Sequence, residues 1–270
     1  MQIFKKKNKL LKEISNIKDI AFVPTMGSIH KGHLSLIKKA KKESKNILVS
    51  IYVNPKQFNL TSDFKKYPRN INKDISLLKK MKIRYLYLPI YDDIYSFRAK
   101  SPIYLDKFSK KLCGKFKPKH FKGVINIVNR FIEIINPKSI YLGFKDFQQL
   151  TLINQHINQN HISTKVVACP TIREKNGVAL SSRNIKLNKI QIKIAQKVYK
   201  YLKKNKNNLF LKIKKNRFNV INQIKLLGVD KIDYIEYLNL KTLKKPKSKY
   251  EKSNIFIAYY IANVRLIDNL

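Results

Sequence analysis

Short apolar runs alternate with segments of helical periodicity over the first two thirds of the chain. Residues 20–23, 47–53, 85–88, 139–142 and 165–168 are mostly apolar and end at turn-forming residues, the pattern of strands buried on both faces. Between them, residues 31–43, 70–82, 121–135 and 146–159 place apolar side chains on one face of a helix. This alternation predicts βαβ units with right-handed crossovers, hence an α/β fold with a mostly parallel sheet covered on both sides. Ligands of such sheets bind at the carboxyl ends of the strands. After about residue 185 the pattern changes. Lysine-rich helical stretches at 189–206 and 215–227 precede strand-like runs at 232–238, 255–260 and 264–267. The chain therefore divides into a parallel-sheet domain, 1–175, and a smaller α+β domain, 176–270, with lysine-rich exposed loops or helix ends expected at 203–216 and 241–253.

The first strand end is the most informative. It runs into Pro24-Thr25-Met26-Gly27-Ser28-Ile29-His30-Lys31-Gly32-His33, and helical spacing begins at Leu34. A helix start leaves backbone N–H groups unpaired and carries the positive end of the dipole, so it attracts phosphate. Gly32 lets a ligand approach the backbone, and His30 and His33 add ring N–H donors that can stabilise charge on a reacting phosphate. Two histidines in an ordinary strand–helix connection are the plain alternative, and the order strand, turn, helix favours chemistry.

Other strand ends carry groups of similar use. Val53-Asn54-Pro55-Lys56-Gln57-Phe58 must turn, which brings Gln57 to the sheet's carboxyl edge, where its amide can donate to a carboxylate and accept from a hydroxyl. The fourth run opens into Gly143-Phe144-Lys145-Asp146-Phe147-Gln148-Gln149. There Gly143 leaves room for a nucleotide, Lys145 offers a mobile charge for phosphate, and Asp146 can accept from ribose hydroxyls. Gln149 lies one helical turn beyond Asp146 and faces the same side. Leu180-Ser181-Ser182-Arg183 sets two hydroxyls beside a guanidinium that can span two oxygens. His120, alone before a helix, reads first as structural.

The formal charge of +42 invites a nucleic-acid reading. Against it, only eight residues are arginine, and the lysines spread over every predicted helix in company with Ile and Asn, as AT-rich codons would produce. No specific nucleic-acid partner is expected. Two cysteines fit a reducing cytosol. The N-terminal residues lack an apolar signal core, and no apolar run approaches the ~20 residues of a membrane span. A cytoplasmic protein is expected.

The string Pro-Thr-Met-Gly-x-x-His-x-Gly-His resembles the His-x-Gly-His signature of the nucleotidyltransferase superfamily and, in its longer form, the pantothenate synthetase family. Further matches are Val53–Phe58, Tyr67-Pro68-Arg69, Pro118 to Val124 with Lys119 where the family has glycine, Gly143–Asp146, Ser181–Asn184 and Arg265–Asn269. The resemblance implies a Rossmann-like first domain, a C-terminal lid and a homodimer. It implies ATP-dependent joining of pantoate and β-alanine through a pantoyl adenylate, with release of AMP and pyrophosphate. Catalysis would fall to His33, His30, Lys145 and Arg183. ATP would be held by Met26, Gly32, His33, Gly143, Lys145, Asp146, Leu180, Ser181, Ser182 and Arg183, and pantoate by Gln57, Gln149, Met26 and Tyr67. Mg²⁺ is expected through the ATP phosphates, its protein ligands unknown, because the family's acidic pair after Tyr-Pro-Arg is here Lys73-Asp74. The alternatives are another adenylyl- or cytidylyltransferase of the superfamily, or a basic nucleic-acid-binding protein.

Overall fold

The computed structural model describes residues 1–248 and 250–270, so Lys249, inside the loop expected at 241–253, lies outside the described residues. The chain forms two compact units, Met1–Pro170 and Thr171–Leu270.

The first unit is a six-stranded parallel sheet with helices. Its strands are β1 (Gln2–Phe4), β2 (Ala21–Thr25), β3 (Ile47–Ile51), β4 (Tyr85–Tyr87), β5 (Ser139–Gly143) and β6 (Lys165–Cys169). Its helices are α1 (Lys7–Ile14), α2 (Lys31–Lys41), α3 (Thr61–Lys65), α4 (Ile71–Lys80), α5 (Tyr91–Tyr95), α6 (Cys113–Phe116), α7 (His120–Ile135) and α8 (Phe147–Gln159). The strand order β1-β4-β3-β2-β5-β6 decides where the site lies. From β2 the chain builds outward through β3 and β4, then returns to place β5 and β6 on the other side. That reversal opens a crevice beyond the carboxyl ends of β2 and β5, from which the His30–His33 turn and the Gly143–Asp146 turn both emerge.

Both sheet faces are covered, as the unbroken apolar runs require. On one face Phe22, Tyr52 and Tyr87 surround Phe131 of α7, with ring centroids 5.4, 6.4 and 6.2 Å away. On the other, Ala21, Val23, Val49 and Leu86 pack with Leu36, Ile37 and Ala40 of α2 and Leu78 of α4. Each fully buried aliphatic or aromatic side chain contributes roughly 1.5–3 kcal/mol relative to exposure, so β2 and α2, the two arms of the histidine turn, are firmly fixed.

The second unit pairs a three-stranded antiparallel sheet, β7 (Lys231–Asn239), β8 (Ser253–Ile261) and β9 (Val264–Asn269), with the helix α9 (Lys189–Lys225). Residues 203–216, expected as loop or helix ends, are instead part of α9. Leu202 and Leu209 are fully buried in the core of this unit, and that packing outweighs the polarity of the lysines around them. The helix kinks only at Asn216 (φ −154°, ψ 88°), whose side chain accepts from Asn219 N at 3.0 Å and so caps the second segment. The division between units falls at Pro170/Thr171, ahead of the 175/176 boundary expected from the pattern. Arg173 explains the difference, because it forms a bidentate pair with Asp268 (2.7 and 2.8 Å) and donates to Asn269 O. Among the described residues no helix is long and apolar enough to cross a membrane.

Candidate active site

His30 is the N-cap of α2, and the two histidines of the turn cap the helix reciprocally. His30 Nδ1 accepts from Gly32 N at 3.1 Å, and His33 Nδ1 accepts from His30 N at 3.4 Å. Imidazole rings thus take the places that Ser and Glu occupy in an ordinary capping box. Because each Nδ1 is an acceptor, each neutral ring carries its proton on Nε2. The rings stack with centroids 4.1 Å apart. No acidic residue lies in the first turn of α2, so the positive end of its dipole is not neutralised there.

Electrostatics keep both rings uncharged at neutral pH. Burial first, then Lys145, lowers the His30 pKa from 6.5 to about 4, against a smaller opposing effect of Asp146. For His33 burial, His30 and Lys145 lower it to about 3. The fold therefore brings Lys145 into the field of both histidines. Lys145 Nζ lies 3.4 Å from Asp146 Oδ1, and nothing stands within 4 Å of where a Cβ on Gly143 would be, so the space above that backbone is open.

The low pKa values carry a stability consequence. The unfolded chain binds a proton on each ring near pH 6.5, whereas the folded chain does so only near about 4 and about 3. Between those values the unfolded state holds more protons, so this contribution is fully present above pH 6.5 and is lost as pH falls toward 4. Thermal melts from pH 7 to pH 5 are expected to show a falling midpoint, with a smaller fall in His33→Asn. An equal fall in both proteins would remove His33 from this linkage.

Gln57 ends a single 3-10 turn, Pro55–Gln57, capped by the fully buried Asn54. Its Nε2 donates to Met26 Sδ at 2.7 Å, which joins two of the residues expected at the pantoate site. The first turn of α7 holds this segment from behind. His120 Nδ1 lies 2.7 Å from Gln57 O, so the ring donates there, and Asn54 Nδ2 donates to Gly123 O at 3.1 Å. A Cβ on Gly123 would lie 2.1 Å from Lys56 O, so only glycine permits this approach. Lys119, where the family has glycine, has φ −93° and ψ −10°, a conformation open to any residue. Tyr67 is 8 % exposed and packs edge-on against Phe58. On α8 the adjacent glutamines differ. Gln148 is buried and bonded to Cys113 N, Phe108 O and Lys111 O, whereas Gln149 is half-buried.

Leu180, Ser181, Ser182 and Arg183 belong to the second unit. Ser181 Oγ accepts from Arg183 N at 3.2 Å and caps the turn Ser182–Lys186. Leu180 N donates to Ile172 O, and Asn184 Nδ2 to Ala179 O, both at 3.0 Å. Arg173 anchors the same loop by donating to Gly177 O while its guanidinium lies 4.7 Å from the Tyr199 ring centroid. Sequence reasoning assigned no part to Arg173, Asn54 or Asp74. The signal for Arg173 was its charge complement Asp268 in the terminal Arg265–Asn269 segment.

No protein site for Mg²⁺ stands out among the described residues. Both oxygens of Asp74 are taken by backbone donors, Ser28 N at 2.8 Å and Ile29 N at 2.7 Å. Asp146 faces Lys145, and no group of three or more His, Cys, Asp or Glu able to hold a metal occurs among the described residues.

Residues 2–270 match the family profile described as pantoate-beta-alanine ligase. The pantothenate synthetase of Sulfurihydrogenibium sp. (strain YO3AOP1) is 41% identical over 263 residues, which covers 94% of this chain and 92% of that protein. That of Francisella tularensis subsp. novicida (strain U112) is 38% identical over 272 residues, covering 99% and 94%. Among solved structures, pantothenate synthetase from Thermus thermophilus superposes with a TM-score of 0.88 at 28% identity, covering 100% of this chain and 99% of that one. The pantoate-beta-alanine ligase from Francisella tularensis, complexed with beta-gamma ATP and beta-alanine, gives 0.86 at 36% identity and covers 100% and 97%.

Proposed function

The chain belongs to the pantoate-β-alanine ligase family, and on that premise we propose how its residues carry out the reaction. It is an ATP-dependent ligase that joins pantoate to β-alanine and forms pantothenate. The observation that carries the residue assignment is the pair of neutral, mutually capped histidines beside Lys145 at the reversal of strand order.

In this reading the pantoate carboxylate attacks the α-phosphorus of ATP and pyrophosphate leaves. A carboxylate is ionised at neutral pH, so the step needs no general base. It needs alignment and neutralisation of charge. His30 and His33 give Nε2–H donors, Lys145 and Arg183 give charge, and Ser181 and Ser182 give hydroxyls to the phosphates. Met26, Gly32, Gly143, Asp146 and Leu180 complete the ATP contacts. The β-alanine amine, its ammonium proton given up to water, then attacks the carbonyl carbon of the adenylate. AMP leaves with the bond electrons, and the proton lost from nitrogen as the amide forms passes to solvent. Mg²⁺ would arrive with ATP, held by the phosphates and water. A homodimer in the cytoplasm is part of the proposal, supported by family membership and by two free cysteines.

The direct test is AMP release from ATP by the purified protein. It should require both pantoate and β-alanine. Release with a mononucleotide acceptor and none with pantoate would move the chain to another nucleotidyltransferase activity. Salt-resistant, sequence-dependent RNA binding without AMP release would favour the nucleic-acid class.

Gln57 and Gln149 are assigned to pantoate. Gln57→Ala and Gln149→Ala should each raise the pantoate KM at least ~30-fold, because the truncated site leaves buried polar groups of the substrate unpaired. The ATP KM should change little. A normal pantoate KM in both variants would end the assignment.

A further inference from the structure

The turn that carries the histidines has an unusual backbone. Gly27 has φ +80° and Ser28, a non-glycine residue, has φ +52°, a left-handed conformation that is strained for side chains with a Cβ. The N–H groups along this turn need acceptors wherever they are shut off from water. Five of them are bonded to side chains. Gly27 N donates to Thr25 Oγ1 at 3.2 Å, and Thr25 Oγ1 in turn donates to Ser50 O at 2.8 Å. Ser28 N and Ile29 N go to the two oxygens of Asp74, at 2.8 and 2.7 Å. His30 N and Gly32 N go to the histidine rings. Asp74 sits on α4, some 45 residues away in sequence, and is only 2 % exposed. A Cβ on Gly27 would lie 3.0 Å from Asp74 Oδ2, so the carboxylate fills the space that the absence of a side chain leaves.

We propose that Asp74 is the positioning residue of the histidine turn: by holding Ser28 N and Ile29 N it sets where His30 and His33 present their Nε2–H donors. The proposal rests on the reading of His33 as a catalytic residue. Asp74 itself touches no substrate in this arrangement. Without its carboxylate the strained turn loses the acceptor that satisfies it, and the reciprocal cap is the next set of contacts along the chain to move.

The test uses the full-length protein and compares Asp74→Asn, Asp74→Ala and His33→Ala. Asparagine keeps the volume and one acceptor but turns an amide donor toward the second backbone N–H. Asp74→Asn should lower kcat about tenfold and Asp74→Ala about a hundredfold, the scale expected when reacting groups shift by about 1 Å. Neither KM should rise as much as kcat falls. Nitrogen-15 spectra supply a readout that a merely structural role would not move. In the wild type both rings should be neutral with the proton on Nε2 at pH 7, and in the variants that signature should give way to mixed tautomers with raised ring pKa values. Loss of a nearby negative charge alone would lower those pKa values, so the sign separates displacement from electrostatics. If Asp74→Ala does not fold, Asp74→Asn decides. Wild-type kcat and unchanged rings in folded Asp74→Asn, beside an inactive His33→Ala, overturn the positioning role. Full activity in His33→Ala overturns instead the catalytic reading on which it rests.

Discussion

His33→Ala is expected to lower turnover at least ~100-fold while the ATP KM changes far less. The ring is neutral, with its pKa pushed down to about 3, and its Nδ1 is engaged by His30 N, so a single donor, Nε2–H, remains for the substrate. A donor fixed before the substrate arrives acts most strongly on charge that develops during reaction, and deleting one such donor typically removes about 2.7–4 kcal/mol of transition-state stabilisation. Ground-state binding of ATP draws on many more groups, and so kcat should carry the loss. The lost cap is a long bond of 3.4 Å, so the fold should survive, as a melting curve would check. Steady-state kinetics that show wild-type turnover in the folded variant would take the histidine turn out of the mechanism.

Strands β2, β3, β4, β5 and β6 were legible because unbroken apolar runs between turn formers have few other uses in a soluble sheet. Strand β1 was not. Three residues beside a lysine run carry too little pattern, and the strand exists because it pairs with β4 at the sheet's edge. In the same way α9 continues through 203–216 on the strength of Leu202 and Leu209, buried by tertiary contacts that a count of lysines hides. At the candidate site, the expectations for His30, His33, Gln57 and Lys145 come from strand ends, and the folded chain sets Gln57 against Met26. What could not be read was support. Asp74 looks like an ordinary first-turn carboxylate of α4, and only the folded chain shows that its acceptors serve a turn on another element. His120 likewise acts on a backbone oxygen, that of Gln57, and backbone atoms leave no trace in side-chain spacing.

With pantoate and ATP alone, the enzyme is expected to exchange labelled pyrophosphate into ATP. The reasoning begins with the acid, since a free carboxylate is a poor electrophile and an amine will not displace oxide from it. Transfer of AMP to the carboxylate creates a mixed anhydride whose leaving group departs readily, so activation precedes amide formation. Nothing in that first step involves the amine. The groups proposed for it, His30, His33, Lys145, Ser181, Ser182 and Arg183, all act on phosphate oxygens, and the step is reversible while pyrophosphate is present. Exchange should therefore proceed without β-alanine and should fall in His33→Ala in proportion to turnover. Adding β-alanine should drain the adenylate toward product and suppress exchange. Exchange that appears only when β-alanine is present would mean that the amine takes part before pyrophosphate leaves, and the order of steps would have to be reversed. A protein that released AMP with both substrates yet never exchanged pyrophosphate under any condition would point to a single concerted step, in which the histidine turn would stabilise one transition state instead of two.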